Sequence, residues 1–439
     1  MLESVMSVMV ALSAGAAAAA PQWGGTVGTP GVDGQVMAMC VWDDGRGSAL
    51  YVGGEFTMAG GAPAAHLARW DGKAWSAVGG GVDGPVHALH VFDDGRGKAL
   101  YVGGNFASAG GVSAGSLARW DGEAFEEVGG GVSDGGTSTS FSAPVAALCT
   151  WDEDGAGPLP AGLIVGGNFK AAGGGPAQNL ARWRGGTWTE IGGGIQHVVD
   201  ALIVHDDGAG RALYVGGSVL WLGGFGAQVA GYIGRWDGTS WSNMLHGLNA
   251  QPMSFVKRPF DSRLYMAGGF DRAIQGPQSR GTMAWTGSGW EAVVAGVTST
   301  AAVIEVFDAR DGNGADLYVG GGFTLRRRAG GVWESIGGFV GAPWAVTELC
   351  VFDDGSGAGP ALYVGGKFNG PGNNIAALLG GPVCPGDANG DLVVNFADLN
   401  AVLSVFGQSG VGIGGDVNGD GVVNFGDLNV VLSAFGSAC

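Results

Sequence analysis

The peptide KALYVGG at residues 98–104 contains a phrase that recurs along the chain. Copies and close variants of YVGG begin at seven positions: Tyr51, Tyr101, Ile164, Tyr214, Tyr265, Tyr318 and Tyr363. The steps between them are 50, 63, 50, 51, 53 and 45 residues. A self-similar unit of this length indicates a repeat architecture, in which neighbouring copies bury each other's apolar surface.

Each full copy contains four strand-like runs. The second copy has VHALHVF at 86–92, KALYVGG at 98–104, SLARW at 116–120 and a run at Phe125. The runs are short and rich in Val, Leu and aromatic residues, and Asp-Gly turns such as DDGRG at 93–97 separate them. Four antiparallel strands every 45 to 50 residues predict the blades of a β-propeller.

The two ends of the repeat region complement each other. The last copy stops after IAALLGG at 375–381 and has no fourth strand, whereas PQWGGTVG at 21–28 resembles the fourth-strand segment KAWSAVGG at 73–80. The N-terminal strand should therefore complete blade seven, which leaves no open sheet edge between the first and last blades. The sequence predicts an all-β seven-bladed propeller closed by its N-terminal strand, over residues 21–381.

The repeat resembles a known family. The Gly-Gly pair after the second strand and the aromatics Trp70 and Trp75 are similar to kelch-type repeats of galactose-oxidase-like propellers, over residues 22–381. This resemblance implies a fold and no particular activity. Most copies also carry an Arg-Trp pair, as at Arg69, and we interpret it as a structural device such as an ion pair between blades.

Departures from the repeat are better candidates for a site than the repeat itself. Blade six reads YVGGGFTLRRRAGGVW at 318–333 and lacks about ten residues between its second and third strands. This deletion predicts a gap in the rim with three arginines nearby. Aromatic and basic side chains suit a glycan or protein ligand, and drifted loops without a ligand are the alternative. The candidate ligand-binding residues are Trp221, Phe225, Arg326, Arg327 and Arg328.

Composition restricts the partners of the protein. The formal net charge is -18, which disfavours nucleic acid and anionic membrane surfaces. An apolar, alanine-rich run at 5–20 predicts a signal peptide over 1–20, although no Lys or Arg precedes it. An uncleaved N-terminus is the alternative. No other stretch reaches spanning length, so we expect no membrane span after cleavage.

Sequence motifs give catalysis little support. The six histidines show no metal-ligand spacing, and neither a G-x-S-x-G motif nor a P-loop is present. The copper site of galactose oxidase cannot be assembled from these residues. We therefore name no catalytic residue. A pair of carboxylates brought together from distant positions, as in glycosidases, stays open because sequence does not reveal spatial pairs.

A second, unrelated repeat fills the C-terminus. GDANGDLVVNFADLNAVLSVFG at 386–407 is followed 29 residues later by GDVNGDGVVNFGDLNVVLSAFG at 415–436. Both copies open as D-x-N-x-D, the start of an EF-hand calcium loop. The ligand positions are Asp387, Asn389, Asp391, Val393, Asn395 and Asp398 in the first loop, and Asp416, Asn418, Asp420, Val422, Asn424 and Asp427 in the second.

The residue types in these loops suit calcium, a hard cation that takes six to eight oxygen ligands. Each loop offers three carboxylates, and residues 382–439 contain no basic side chain. The sequence therefore predicts two calcium ions. The first loop has Leu392 where the second has Gly421, at the position of the sharp turn. The last ligand is Asp in both loops, whereas ordinary EF-hands have a bidentate Glu.

Helical spacing follows each loop, with Leu399, Val402, Leu403 and Phe406 at i, i+3, i+4 and i+7. A duplicated loop-helix unit with Asp at position 12 of each loop resembles type I dockerin domains. The flanking cysteines extend this resemblance to a GC-type anchoring variety. The resemblance implies a small α-helical domain that binds a cohesin-like or cell-surface partner. Phe396-Ala397 and Phe425-Gly426 stand where cellulosomal dockerins often have Ser-Thr.

The cysteines fall into two groups. Cys384 and Cys439 bracket the C-terminal module and are expected to form a disulfide, with two free thiols as the alternative. Cys40, Cys149 and Cys350 recur at one repeat position and are expected to be small core residues.

Taken together, the sequence predicts three segments: a signal peptide at 1–20, the propeller at 21–381 and a dockerin-like domain at 382–439. We expect a secreted or surface-anchored binding or display protein. An extracellular carbohydrate-active enzyme, delivered to polysaccharide by its dockerin, is the alternative.

Overall fold

The computed structural model describes residues 21–436 apart from 29, 134–142, 156, 220, 224–227, 230, 260, 294–301, 311–313, 330, 358, 371–372, 381–385, 389–393, 409–414, 416 and 418–421. The chain divides into two compact units. The larger comprises Gln22–Asp308 and Ala315–Gly380, and the segment that begins at Gly381 belongs to the smaller. The predicted signal peptide at 1–20 lies outside the described residues.

Seven four-stranded antiparallel sheets make up the larger unit, within the residues described. The strands of each sheet are given from inner to outer. Sheet one contains Val36–Asp43, Ser48–Gly54, Leu67–Trp70 and Trp75–Ala77; sheet two contains Val86–Asp93, Lys98–Gly104, Leu117–Trp120 and Phe125–Glu127; and sheet three contains Ala147–Trp151, Gly162–Gly166, Leu180–Arg184 and Thr187–Glu190.

The remaining four sheets have the same order. Sheet four contains Val199–Asp206, Arg211–Gly217, Ile233–Trp236 and Trp241–Ser242, and sheet five contains Pro252–Lys257, Leu264–Gly268, Thr282–Trp285 and Trp290–Ala292. Sheet six contains Val303–Asp308, Ala315–Gly321, Thr324–Ala329 and Val332–Gly338, and sheet seven contains Val340–Phe352, Ala361–Gly370, Ile375–Leu379 and Gln22–Thr26.

Short accessory strands lie between the second and third strands of the first four sheets. They are Met58–Ala59 with Ala62–Pro63, Ser108–Ala109 with Val112–Ser113, Ala171–Ala172 with Gly175–Pro176, and Trp221–Leu222 with Gln228–Val229. Each of the last two pairs has a third short strand: Val132–Ser133 pairs with Ala171–Ala172, and Ile195–Gln196 pairs with Trp221–Leu222. In sheet six only two residues separate Gly321 from Thr324, which confirms the deletion seen in the sequence.

The sheets follow one another in a propeller-like arrangement. Each inner strand contacts the inner strand of the next sheet, and the inner strand of sheet seven contacts that of sheet one. The N-terminal strand pairs with the third strand of sheet seven, with Gln22 opposite Leu379 and Trp23 opposite Leu378. The predicted completion of the last sheet by the N-terminus is therefore confirmed.

The first glycine of YVGG is required by packing between consecutive sheets. A Cβ atom on Gly53 of sheet one would lie 2.4 Å from Cγ1 of Val86 in sheet two, a distance that no real contact tolerates. The same relation joins sheet seven to sheet one, where a Cβ on Gly365 would lie 2.5 Å from Cγ1 of Val36. The repeated glycine therefore sets how closely one sheet approaches the next.

Indole groups of the outer strands also link consecutive sheets. Nε1 of Trp75 donates to the carbonyl of Val27, at 3.0 Å, just after the strand that completes sheet seven. Trp188, Trp241 and Trp290 make equivalent bonds of 2.9 to 3.0 Å to the preceding connections. This bond accounts for the Trp that most copies carry at this position, where sheet two has Phe125.

The Arg of the Arg-Trp pair acts within its own sheet, which corrects the expected ion pair between blades. Nε of Arg69 lies 3.7 Å from Oδ2 of Asp44, and the hydroxyl of Tyr51 donates to the same oxygen at 2.7 Å. Asp44 follows the inner strand of sheet one, so the cluster joins three parts of one sheet. Burial opposes ionisation, but hydrogen bonds from Arg46 and Tyr51 lower the pKa of Asp44 to about 2.

The described part of the smaller unit contains two helices. Helix α1 spans Phe396–Ser404 and helix α2 spans Phe425–Ser433. Both begin with an Asn N-cap and a capping box, which satisfies the free amides of the first turn. Their shared core consists of five valines: Val394, Val402, Val405, Val423 and Val431. The predicted helical positions Leu403 and Phe406 are exposed instead, because this small core is filled by the valines.

Candidate metal and ligand sites

Two buried carboxylates define the C-terminal candidate site. Asp398 and Asp427 are 0% exposed and occupy the third position of α1 and α2. Oδ2 of Asp398 accepts from the amide of Asn395 at 2.8 Å, and Oδ2 of Asp427 accepts from the amide of Asn424 at 2.8 Å. The two aspartates are therefore fixed in the same geometry by the two copies of the repeat.

Backbone hydrogen bonds between the copies hold this geometry in place. The amide of Gly407, after α1, donates to the carbonyl of Val423 at 2.8 Å, and Val423 in turn donates to Gln408 at 2.9 Å. Reciprocally, the amide of Gly436, after α2, donates to the carbonyl of Val394 at 2.7 Å. Val394 and Val423 precede the N-caps, so each helix end supports the loop of the other copy.

The structure describes half of the predicted calcium ligands. Asp387, Asn395, Asp398, Val422, Asn424 and Asp427 are described. The other six, Asn389, Asp391, Val393, Asp416, Asn418 and Asp420, lie outside the described residues, as do Cys384 and Cys439. The side-chain amide Oδ1 of Asn395 accepts from Ala397 at 2.7 Å, so this group serves the helix start in the described geometry. Among the described residues, His, Cys, Asp and Glu form no group of three that could hold a metal ion.

The charges around Asp398 and Asp427 fit a cation. Residues 382–439 contain six aspartates and no Lys, Arg or His. A buried carboxylate is costly unless an opposite charge or several hydrogen-bond donors compensate it. Backbone amides donate to both carboxylates, and a hard divalent cation would supply an opposite charge in a segment that has no basic side chain.

An exposed aromatic surface accompanies the two helices. Phe396 and Phe425, the first residues of α1 and α2, are 71% and 72% exposed. Phe396 packs edge-on against Phe435 with centroids 4.9 Å apart, and Phe406 packs against Phe425 at 5.1 Å. These four rings are arranged with the symmetry of the repeat, and all four are more exposed to solvent than is favourable for aromatic side chains of an isolated domain.

The structure places the described members of the predicted propeller ligand set on two different sheets. Trp221 is half-buried in the accessory strand of sheet four, opposite Gln196 and Val229. Phe225 lies outside the described residues. The three arginines belong to sheet six, two sheets further along the chain, so Trp221 and Arg328 come from sheets that are not consecutive.

The three arginines of sheet six follow the shortened loop in the chain. They lie on the third strand, where Arg326, Arg327 and Arg328 pair with Ser335, Glu334 and Trp333 of the outer strand. Arg327 is opposite Tyr318, as Arg69 is opposite Tyr51, and its buried guanidinium forms an ion pair with Glu334. Arg327 therefore occupies the place of the structural arginine of the other sheets.

A pair of carboxylates on adjacent inner strands was not anticipated from the sequence. Glu305 of sheet six lies opposite Tyr318, the position held by Cys40 in sheet one, and Glu348 lies on the inner strand of sheet seven. Burial raises the pKa of Glu305 to about 7, and burial together with the charge of Glu305 raises the pKa of Glu348 well above its ordinary value. The sequence signal for this pair was Glu305, a charged residue in an otherwise apolar run of its inner strand.

The repeat cysteines are free thiols, as expected of core residues. Cys149 is buried, and Cys40 and Cys350 are partly buried on inner strands. Burial raises the pKa of the Cys40 and Cys149 thiols to about 12, so neither is a thiolate at neutral pH.

Comparison with protein-family models and with curated proteins gives no match to this chain. Among solved structures, the chain is similar to BBS1N, described in complex with ARL6DN and soaked with mercury, at 12% identity and a TM-score of 0.49 over 82% of this chain and 97% of that one. It is also similar to the extracellular domain of the putative hybrid two component system BT3049 from B. thetaiotaomicron, at 9% identity and a TM-score of 0.43 over 79% of this chain and 39% of that one.

No helix in the described part of the chain is both long and apolar enough to cross a membrane.

Proposed function

We propose that this chain is a secreted binding or display protein whose C-terminal module, residues 382–439, takes up two calcium ions and attaches the protein to a partner outside the cell. The observation that carries the proposal is the burial of Asp398 and Asp427, at 0% exposure, in a segment without any basic side chain. Calcium would be held by the two loops, and it would neutralise the carboxylates that close each loop.

The attachment surface we propose is the set of exposed phenylalanines on the two helices. A type I dockerin-like, GC-type module would present the starts of both helices to a cohesin-like or cell-surface partner. Phe396 and Phe425 stand where cellulosomal dockerins often have Ser-Thr, so the partner should offer apolar pockets. The expected disulfide between Cys384 and Cys439 and the expected signal peptide at 1–20 belong to the same proposal of an extracellular location.

For the larger unit we propose a closed, kelch-like propeller of seven blades that binds a glycan or protein ligand. The packing of Gly365 against Val36 supports closure, because it repeats at the junction of the last and first sheets the contact made by Gly53 and Val86. The contact between the inner strands of sheets seven and one supports it too. A propeller gives such a protein a rigid platform of loops.

Calcium binding is tested on the full chain, stripped with a chelator and titrated with calcium in a calorimeter. We expect two ions to bind. Asp398→Asn and Asp427→Asn remove one negative charge each while keeping an oxygen for the N-cap amide, and each should weaken one of the two sites by about tenfold or more.

The matched control is Asp121→Asn. Asp121 is an exposed turn aspartate whose Oδ1 accepts from the amides of Glu123 and Ala124, at 2.8 and 2.9 Å. This substitution should leave the calcium titration unchanged. A stripped chain that takes up no calcium would overturn the proposal, and so would equal losses in Asp398→Asn and Asp121→Asn.

A second candidate function, carbohydrate hydrolysis, is favoured by Glu305 and Glu348. Two interacting carboxylates, one with a pKa of about 7, have the character of a general acid and its partner. The test is release of reducing ends from a panel of polysaccharides by the full chain. Hydrolysis that disappears in both Glu305→Gln and Glu348→Gln would support an enzyme, whereas no release from any polysaccharide would exclude this candidate for that panel.

A further inference from the structure

A cavity of about 610 Å³ lies between two neighbouring hairpins of the larger unit. One hairpin joins the inner and second strands of sheet four, and the other joins the same strands of sheet five. Three cationic side chains line it: Arg211, Lys257 and Arg258. The volume falls within the range of pockets for small ligands, about 300 to 1,000 Å³.

The cations of sheet five break the repeat. Lys257 lies opposite Leu264, at the position where other sheets pair a Val or Thr with the equivalent residue: Val41, Val91, Thr150, Val204, Val306 and Val351. The next position is aromatic in most sheets, as in Trp42 packed on Tyr51, and here it is Arg258. Sheet four has His205 at that aromatic position. Both sheets therefore replace apolar residues by polar ones where they face the same cavity.

Two of the three cations are available to a ligand. Within the described residues, the side chains of Arg211 and Lys257 are exposed and form neither a hydrogen bond nor an ion pair. Arg258 is fixed differently, because its Nη2 donates to the carbonyl of Ala315 at 2.8 Å and lies 3.5 Å from Oδ1 of Asp316. Arg258 is therefore held in place at one side of the cavity, and the side chains of Arg211 and Lys257 can move towards a bound group.

The acids at the cavity already have partners. Oδ1 of Asp206 accepts from the amides of Gly208 and Gly210, at 3.0 and 3.1 Å. Oδ2 of Asp261 accepts from the hydroxyl of Tyr265 at 2.6 Å, and its Oδ1 lies 3.3 Å from Arg263. These carboxylates shape the hairpins, and neither contacts Arg211 or Lys257 in an ion pair. With three cations against Asp206 and Asp261, the lining of the cavity carries a net charge of +1 (3 − 2) on a protein of net charge -18.

His205 adds a neutral polar group to the cavity. Its Nε2 lies 2.8 Å from the carbonyl of Ser262, an acceptor, so this nitrogen carries the proton. Burial lowers the pKa of His205, and the charge of Lys257 lowers it further. This hydrogen bond joins the inner strand of sheet four to the hairpin of sheet five beside the cavity.

We propose that this cavity binds a small anionic ligand through a carboxylate, sulfate or phosphate group held between Arg211 and Lys257. Arginine and lysine donate charge-assisted hydrogen bonds to such groups, and the fixed position of Arg258 reduces the ordering that binding requires. The proposal gives the propeller a ligand class and does not depend on calcium in the C-terminal module.

The test measures binding to the full chain at constant ionic strength by calorimetry. The probes are sodium sulfate, sodium phosphate and digalacturonic acid, with cellobiose as the uncharged comparison. We expect saturable binding of at least one anionic probe at one site per chain, and none of cellobiose. Stronger binding of digalacturonic acid would identify a charged sugar as the source of the group, and stronger binding of the inorganic probes would identify a free anion.

The decisive variant is Arg211→Ser with Lys257→Val. It installs the residues that sheet one carries at the same register positions, Ser48 and Val41, so the fold is preserved. Binding should weaken by about tenfold or more, since two charge-assisted bonds are removed. The matched control is Lys98→Ser, which removes a cation opposite Asp93 as Arg211 is opposite Asp206. It should bind as the wild type does.

Three results would overturn the proposal: no binding of any anionic probe, unchanged binding by the double variant, or an equal loss in Lys98→Ser. Calcium uptake measured on the same double variant separates the two proposals, because a failure of anion binding leaves that titration intact.

Discussion

The seven sheets and the C-terminal module both bury aspartates, and they differ in what compensates the charge. In sheet four, Asp207 accepts hydrogen bonds from Tyr214 and Trp285, and Nε of Arg235 lies 3.4 Å away. In the C-terminal module, Asp398 has no basic residue in its whole segment. In sheets one, two and four the aspartate therefore has an arginine counter-charge from its own sheet, whereas the proposed function gives the module an ion from solution.

Calcium removal should separate the two regions most strongly. A chelator should abolish the slow hydrogen exchange of α1 and α2, because the loop aspartates then repel one another. The amides of the sheets should keep their protection, since Asp207 and its equivalents need no metal. Hydrogen exchange followed by mass spectrometry measures both in one experiment. Protection in α1 that is the same with and without calcium would contradict the comparison.

Truncation of a sheet aspartate should cost the larger unit several kcal/mol. Asp207→Ala removes the ion pair with the half-buried Arg235 and leaves the donors of Tyr214 and Trp285 without this acceptor, and we expect a loss of about 3 to 5 kcal/mol in the free energy of unfolding. Urea titration measures it. Asp71→Ala is the control, because Asp71 is an exposed turn residue and its removal should cost about 1 kcal/mol. Equal losses would show that the Arg partner is unimportant.

Glu305 adds a third case to the comparison of buried acids. Burial favours its protonated form, whereas an ion pair or a metal ion would favour its charged form. Its pKa is about 7 in the folded protein against an ordinary 4.5. Between these values the folded state holds a proton that the unfolded chain has released, so stability falls as the pH rises from about 4.5 to 7. The loss from pH 5 to pH 7 should be about 2 kcal/mol.

The substitution Glu305→Gln removes one of the two titrating carboxyl groups and should make that part of the stability profile less steep, with Glu348 giving the remaining slope, as measured by urea titration at a series of pH values. A profile with the same slope in Glu305→Gln and in the wild type would assign the pH dependence to other groups.

The uncharged links between sheets should give the smallest effect. Trp75→Phe keeps the ring and removes the hydrogen bond to the carbonyl of Val27, so it should cost about 1 kcal/mol. Sheet two already has Phe125 at this position, which shows that the ring can be accommodated. Thermal unfolding compares the variant with the wild type, and an unchanged Tm would show that the bond to Val27 contributes nothing.

Much of the larger unit could be predicted because its signal is repeated. The YVGG phrase, its spacing and the unpaired N-terminal strand led to the sheets, to the deletion in sheet six and to the pairing of Gln22 with Leu379. The same pattern did not reveal the role of Arg69. Its partner Asp44 is 25 residues away in the chain, and only the register of three strands places the two side chains together.

The candidate sites divide in the same way. The calcium ligands stay a prediction, and the sequence could make it because their spacing is local, within twelve residues. Glu305 with Glu348, and Arg211 with Lys257, could not be predicted because each pair joins neighbouring sheets. A single Lys in place of Val at 257 is visible in the sequence, but the cavity beside it is not.

By itself, the sequence determined the repeating unit, the order of its strands and the residue types at each turn, because these depend on short-range backbone geometry and on the alternation of apolar side chains. Only the tertiary structure decided which charges meet, since that depends on the close approach of one sheet to the next, at distances set by contacts such as that of Gly53 with Val86. Charges that meet across such a contact come from residues far apart in the chain, and no local pattern records their distance.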